Sequence, residues 1–171
     1  MNASDIATIV VVLLALCGLF ALMWRGWRSR GQRQAAAIGE IPTAPDRLAD
    51  LVYGPVSGVY VGSTIAPHWQ DRVAVGDWGF RAVVNVSRYA DGYLLERSRG
   101  NPMWIADGAL EGVRLASKLA GKVMPGGGLL VLRWELPTGT VIDTGFRADD
   151  KTDYRRLMGD VSESDEKDEQ A

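Results

Sequence analysis

The chain has one cysteine, one histidine and four lysines among 171 residues. With Cys17 alone, no disulfide can form within the chain, and the cysteine density of a secreted scaffold is missing. His68, with no cysteine beyond residue 17, falls short of the His/Cys count of a zinc site, so neither metal nor cofactor is expected. A broad basic face is missing too. The net charge of −2 is segregated: Arg25, Arg28, Arg30 and Arg33 carry +4, residues 162–171 carry −4, and the rest is close to neutral. That balance argues against a nucleic-acid partner.

Catalytic motifs are equally scarce. Gly54-Pro55-Val56-Ser57-Gly58 is not a nucleophile elbow, because its serine stands one place late. Gly126-Gly127-Gly128 precedes a strand-like run rather than a helix, and Gly121-Lys122 lacks a following Ser or Thr, so a hairpin is expected rather than a phosphate loop. Asp149 and Asp150 precede an amphipathic run and read as helix caps. No catalytic residue is assigned, and the protein is expected not to be an enzyme.

One stretch lacks charge altogether. Ile6–Trp24, IATIVVVLLALCGLFALMW, has no polar face. As a helix at ~1.5 Å per residue it would span roughly 28 Å, against the ~30 Å hydrocarbon core of a bilayer. Ser4 and Asp5 suit its N-terminus. A secretory signal would need a positive N-terminal region, and Met1–Asp5 offers only an acid. Leu14-Ala15-Leu16-Cys17 resembles a lipobox, but Leu16 is too large before the cysteine. An uncleaved anchor over residues 1–33 is therefore expected. Trp24 and Trp27 would form its aromatic belt, and Arg25, Arg28, Arg30 and Arg33 would hold its C-terminal end in the cytoplasm, against anionic headgroups. The expected location is the cytoplasmic membrane, single-pass, with the N-terminus outside.

Residues 34–58 contain Pro42, Pro45 and Pro55 among alanines and glycines and read as a linker. Residues 59–161 read as one folded domain. Its segments alternate with period two: AVVNVSRY (82–89), GYLLERS (92–98), NPMWIA (101–106), GVRLASKLA (112–120), GLLVLRWEL (128–136) and VIDTGFRA (141–148). Val113, Leu115, Ser117 and Leu119 would share one face. The period then changes, with Tyr154, Leu157, Met158 and Val161 at helical spacing. Mainly antiparallel β structure is predicted, a twisted sheet or open barrel closed by one C-terminal amphipathic helix and preceded by the transmembrane helix. Residues 162–171, SESDEKDEQA, are expected to be a disordered acidic tail.

Two stretches carry a family resemblance. NPMWIADGALEGVRLA is similar to a strand–turn–strand of bacterial pleckstrin-homology-like (PH-like) domains, and TGFRADDKTDYRRL resembles their last strand and closing helix. More narrowly, GVYVGST, HWQDRVAV, GGLLVLRWEL and DTGFRADD resemble actinobacterial single-pass membrane proteins, often labelled transporter or export protein. The resemblance implies a protein-binding or self-assembling module. The chain departs from a phosphoinositide-binding member in GSTIAPHWQDRVAVGDWGFRA, which holds only Arg72 and Arg81 where such a site would cluster basic residues.

The expectation is a membrane-anchored adaptor or scaffold that binds a protein partner at the inner face of the bilayer. Trp69 and Trp78, with His68 and Arg72, form the candidate contact patch. The alternatives are a self-assembling structural protein, hence a homo-oligomer, an accessory component of a transport or export complex, and a small-ligand carrier.

Overall fold

The structure is a computed structural model that describes residues 3–124 and 128–159, with the side chains of 3–10 and 27–33 outside that description. It divides into two units, Met1–Ala36 and Ala37–Ala171. The first is almost entirely one helix, α1, which runs from Ala3 to Ile38. Its side chains from Val11 to Trp24 include Leu14, Leu19, Leu22 and Met23, each more than 60% exposed. Among the described residues no helix is long and apolar enough to cross a membrane. The expected span begins at Ile6, among residues whose side chains lie outside the description.

The second unit holds a seven-stranded antiparallel sheet. Its strands are β1 (Leu51–Ile65), β2 (Ala82–Tyr89), β3 (Gly92–Arg97), β4 (Met103–Ala106), β5 (Leu110–Ala116), β8 (Leu129–Glu135) and β9 (Val141–Ala148). The order across the sheet is β4-β3-β2-β1-β9-β8-β5. A two-stranded hairpin, β6 (Lys118–Leu119) with β7 (Lys122–Val123), stands apart. The short helix α2 (Asp153–Met158) ends the described chain.

β1 joins the two halves of the sheet. It pairs with β2 from Leu51 to Tyr60 and with β9 from Gly58 to Ile65, with a bulge between Tyr60 and Gly62. Gly58 lies where both ladders meet. A Cβ there would run into the Arg147 carbonyl oxygen and the Phe146 ring, so only glycine lets the backbones approach this closely. The folded-over sheet encloses a core of Val56, Tyr60, Val84, Val86, Tyr93, Leu95, Leu130, Leu132, Trp134 and Phe146. β8 is buried on both faces. Leu130, Leu132 and Trp134 face this core, while Leu129 and Val131 join Val61, Ala116, Leu119 and Ala120 in a second cluster beneath the β6–β7 hairpin. Gly145 makes that second cluster possible, because a Cβ there would collide with the Leu119 side chain.

The expected linker is largely part of the domain. Residues 34–38 are helical, Ile38 is fully buried, Ile41 packs on the core, and β1 already begins at Leu51. The boundary at 58/59 fails because LVYGPVSG alternates too weakly to be read as a strand. It is nevertheless held by pairing with β2, and prolines 42 and 45 lie in the irregular segment before it. The hydrophobic face assigned to GVRLASKLA also splits. β5 ends at Ala116, and Leu119 sits in the hairpin under a different cluster. Val161 and the acidic tail lie outside the described residues, as do Pro125–Gly127 of the expected glycine hairpin.

α2 closes the barrel through two phenols. The Tyr154 hydroxyl donates to the Gly128 carbonyl (2.9 Å) and accepts from the Ala148 N–H (3.0 Å). The Tyr93 hydroxyl donates to the Leu157 carbonyl (2.7 Å). Leu157 is fully buried. The turn before the helix is organised by Asp150, whose carboxylate accepts from the Thr152 N–H and hydroxyl at 2.9 and 2.8 Å, which holds that carboxyl below its usual range. Burial raises all the phenols of this core: Tyr60, Tyr154, and Tyr93, which is pushed up to about 12 although the Arg88 guanidinium 4.6 Å from its ring pulls the other way. Each phenol has a folded value above its unfolded one, so its contribution is intact below pH ~10 and is lost as pH rises through the folded value. Stability should therefore fall between pH 10 and about 12, by on the order of 2 kcal/mol for Tyr93 alone. Thermal melts across that range, with tyrosinate absorbance followed in parallel, test this; Tyr93→Phe should flatten the alkaline limb.

Candidate functional site

Of the contact patch expected at His68, Trp69, Arg72 and Trp78, the structure withdraws Trp78 into the core. The 66–81 segment folds back on the end of β1, with Ile65 N–H donating to the Asp71 carbonyl and Val73 N–H to the Ser63 carbonyl, both at 2.9 Å. This drives Val73 and Trp78 into the core. Trp78 is 2% exposed, lies on a 3-10 turn (Gly76–Gly79), and its ring stands 5.9 Å from that of Trp134. Its carbonyl accepts from the Tyr60 hydroxyl at 2.9 Å. Arg72 donates to the Gly79 carbonyl at 3.1 Å, while its backbone bridges Thr64. His68 is exposed and Trp69 and Arg72 are both half-buried, so these three keep surface and Trp78 does not. The correction has a simple cause: a polar, glycine-containing stretch looks solvent-facing in sequence, yet its large aromatic has a core to enter. Of the expected membrane-interface residues, Trp24 and Arg25 are exposed, and the Trp24 ring stacks on Phe20 at 6.4 Å. The side chains of Trp27, Arg28, Arg30 and Arg33 lie outside the described residues.

The ionic clusters of the domain serve the fold. Asp143, 1% exposed, accepts from Arg133 Nε and Nη2 (2.9 and 3.0 Å) and from Arg114 Nη2 (3.1 Å). Arg88 grips Asp107 through two 2.9 Å bonds. Arg97 donates to the carbonyls of Asp77 and Asn101 and lies over the Tyr60 ring, and burial lowers its pKa. Among the described residues no group of three metal-ligating side chains converges.

The sheet has two edge strands, and they differ. On β4, Met103, Trp104 and Ile105 are buried, and the Trp104 N–H donates to the Pro42 carbonyl at 2.9 Å. The proline-bearing segment before β1 thus shields that edge. β5 pairs with β8 alone, and among the described residues, apart from the Leu110 N–H donating to the Asp107 carbonyl, no backbone hydrogen bond reaches its outer side. Alternate N–H and C=O groups of such a strand are free to pair with another chain. Leu115 is opposite Leu130 and so points to the inner face, yet it remains 47% exposed. Beside it runs an open groove of about 620 Å³, lined on the far side by Lys151, Thr152, Tyr154, Arg155, Arg156 and Met158. An uncovered strand edge, an apolar floor and a basic rim are therefore adjacent.

A family model described as bacterial PH domain-like matches residues 38–162, most of the chain and the whole of this sheet and helix. The chain belongs to that family. The match begins at the buried Ile38, which places the start of the PH-like domain upstream of the expected linker's end. Comparisons with curated proteins and with solved structures find no match. The groove of the PH-like domain was not legible in its sequence. Leu115 alternates like a core residue, and Lys151 and Arg155 look like the solvated side of a helix; only the packing of α2 beside β5 joins them.

Proposed function

We propose that the PH-like domain is a non-enzymatic adaptor that receives an extended segment of a partner protein along β5, and that α1 anchors it in the cytoplasmic membrane. The observation that carries the first part is the uncovered β5 edge beside the groove. Strand addition supplies main-chain hydrogen bonds, and a groove for alternate side chains supplies selectivity. Lys151 and Arg155, exposed on its rim, can pair with carboxylates of such a segment. The second part is supported by the uncharged run Ile6–Trp24 and the four arginines that follow it. Anchoring would hold weak partners at high local concentration.

The test is site-specific photo-crosslinking in native membranes. A photoreactive residue at Leu115 should give one discrete protein adduct, and the same residue at Val83, exposed on β2 away from the groove, should give none. Lys151→Glu with Arg155→Glu should reduce the Leu115 adduct at least severalfold. Equal labelling at both positions, or none at either, would overturn the reading. An adduct of two copies of the chain would assign the edge to self-association instead.

A further inference from the structure

We propose that the β4 edge is a second strand-accepting site and that residues 41–45 occupy it as a displaceable strap. Its other occupant is an extended, apolar segment of a partner protein, with isoleucine or valine in the place of Ile41 and a residue other than proline in the place of Pro42. The inference does not depend on the reading of β5, because it concerns the opposite edge of the sheet.

The argument starts from the backbone. β4 pairs on one side with β3, Ile105 opposite Tyr93 and Trp104 opposite Leu94. The Trp104 N–H points out of the sheet and donates to the Pro42 carbonyl at 2.9 Å. In a strand the N–H and C=O of one residue point the same way, so the Trp104 carbonyl faces the strap as well. Among the described residues no backbone N–H reaches that carbonyl. In an antiparallel pair its donor would be the N–H of the residue whose carbonyl already accepts, and proline has none. The strap therefore takes the place of a strand and makes one of the two bonds a strand would make there.

Little else holds it. Residues 41–50 have no regular structure, and among the described residues they make two hydrogen bonds: the one to Trp104, and one from the Ala90 N–H to the Asp50 carbonyl. Thr43, Pro45, Asp46 and Arg47 are exposed, and Ile41, Pro42 and Ala44 are half-buried, with Ile41 packed on the core. The ends are fixed by contrast. Before the strap, the Ala37 carbonyl accepts from the Thr138 and Thr140 hydroxyls at 2.5 and 2.7 Å, and Ile38 is fully buried. After it, Leu51 pairs with Tyr89. Residues 41–45 can thus leave β4 while both ends stay in place, a local opening rather than unfolding.

The strap is also a template for what replaces it. The seat of Ile41 accepts a branched aliphatic side chain. Met103, Trp104, Ile105 and the neighbouring Leu94 carry no charge, and the Arg88 and Asp107 side chains at the end of β4 satisfy each other. A strongly charged segment gains nothing at such an edge. A segment of β-branched residues with a free N–H opposite Trp104 makes both main-chain bonds, including the one the strap lacks.

The experiment uses the full chain in detergent and two fluorescein-labelled peptides read by anisotropy: residues 39–46, GEIPTAPD, and the same peptide with Pro42→Val and Pro45→Val. The valine peptide should bind, and the proline peptide severalfold more weakly. Two variants of the chain move the strap in opposite directions. Ile41→Asp, its melting still cooperative, releases the strap and should strengthen binding of the valine peptide; for a strap open about a tenth of the time in the native chain, the gain is about tenfold. Pro42→Val in the chain supplies the missing N–H, and should weaken peptide binding and slow hydrogen exchange of the Trp104 amide. If Ile41→Asp does not melt cooperatively, the loss expected of Pro42→Val decides alone. Binding unchanged by the variants would overturn the proposal, because the site would lie elsewhere. Equal affinity of the two peptides would overturn it too, since the missing N–H would then be irrelevant. No binding of the valine peptide to the Ile41→Asp chain at about 1 mM would leave residues 41–45 a fixed cover and nothing more.

Discussion

Trp78→Ala should destabilise the domain by about 3–5 kcal/mol, the range for removing a buried tryptophan side chain. That is a large part of the total stability of an ordinary domain, which is about 5–15 kcal/mol. The loss combines three things: the apolar area of a ring 2% exposed, its contact with Trp134 at 5.9 Å, and the filling of the barrel by the 66–81 segment. Trp69→Ala, at a half-buried position in the same segment, should cost under about 1.5 kcal/mol, since little packing is lost. Urea denaturation followed by fluorescence separates the two. A Trp78→Ala midpoint equal to that of the native chain would contradict the core assignment. The contrast also has a practical use: any binding defect of Trp78→Ala must be corrected for unfolding before it is credited to an interface.

Asp143→Ala is the second large effect, about 3 kcal/mol, at the low end of the range for breaking a buried ion pair. Three charge-assisted bonds end on this carboxylate. The low end applies because Arg114 and Arg133 are 37% and 34% exposed and can turn toward water once released, whereas Asp143 itself is 1% exposed. Replacing all three residues together by apolar side chains of similar size should restore stability to within about 1 kcal/mol, because the desolvation of the charges disappears along with their attraction. Denaturant midpoints for the single and triple variants check both statements. A single variant as stable as the native chain would show that the three bonds linking β5, β8 and β9 through Asp143 contribute nothing measurable.

Most strands were legible because a half-buried antiparallel sheet imposes period two on its sequence. AVVNVSRY and VIDTGFRA coincide with β2 and β9, and the Ala90-Asp91 and Pro137-Thr138-Gly139 turns fall where expected. The reading weakened wherever burial came from both sides or from an edge. Leu129 and Val131 look like partners of Leu130 and Leu132 until the β6–β7 hairpin is seen to cover the opposite face. LVYGPVSG looked like tether because its proline and glycines mask a strand, at whose far end Gly58 is required by close backbone approach.

The sequence by itself determined the class of the domain, its helix after the last strand, and the segregation of charge into a basic stretch and an acidic tail. These are properties of local order: alternation, helical spacing and runs of like charge are all written within a few residues. Only the tertiary structure decided which aromatics are core and which edge is open. Trp69 and Trp78 stand nine residues apart in one polar, glycine-containing stretch, and β4 and β5 are both short apolar-rich strands. What separates them is contact across long sequence distances: Trp78 meets Trp134, Pro42 covers Trp104, and α2 lies beside Leu115 without covering it. Burial is a property of the partners a residue finds, and those partners are fixed by chain topology rather than by the residues on either side.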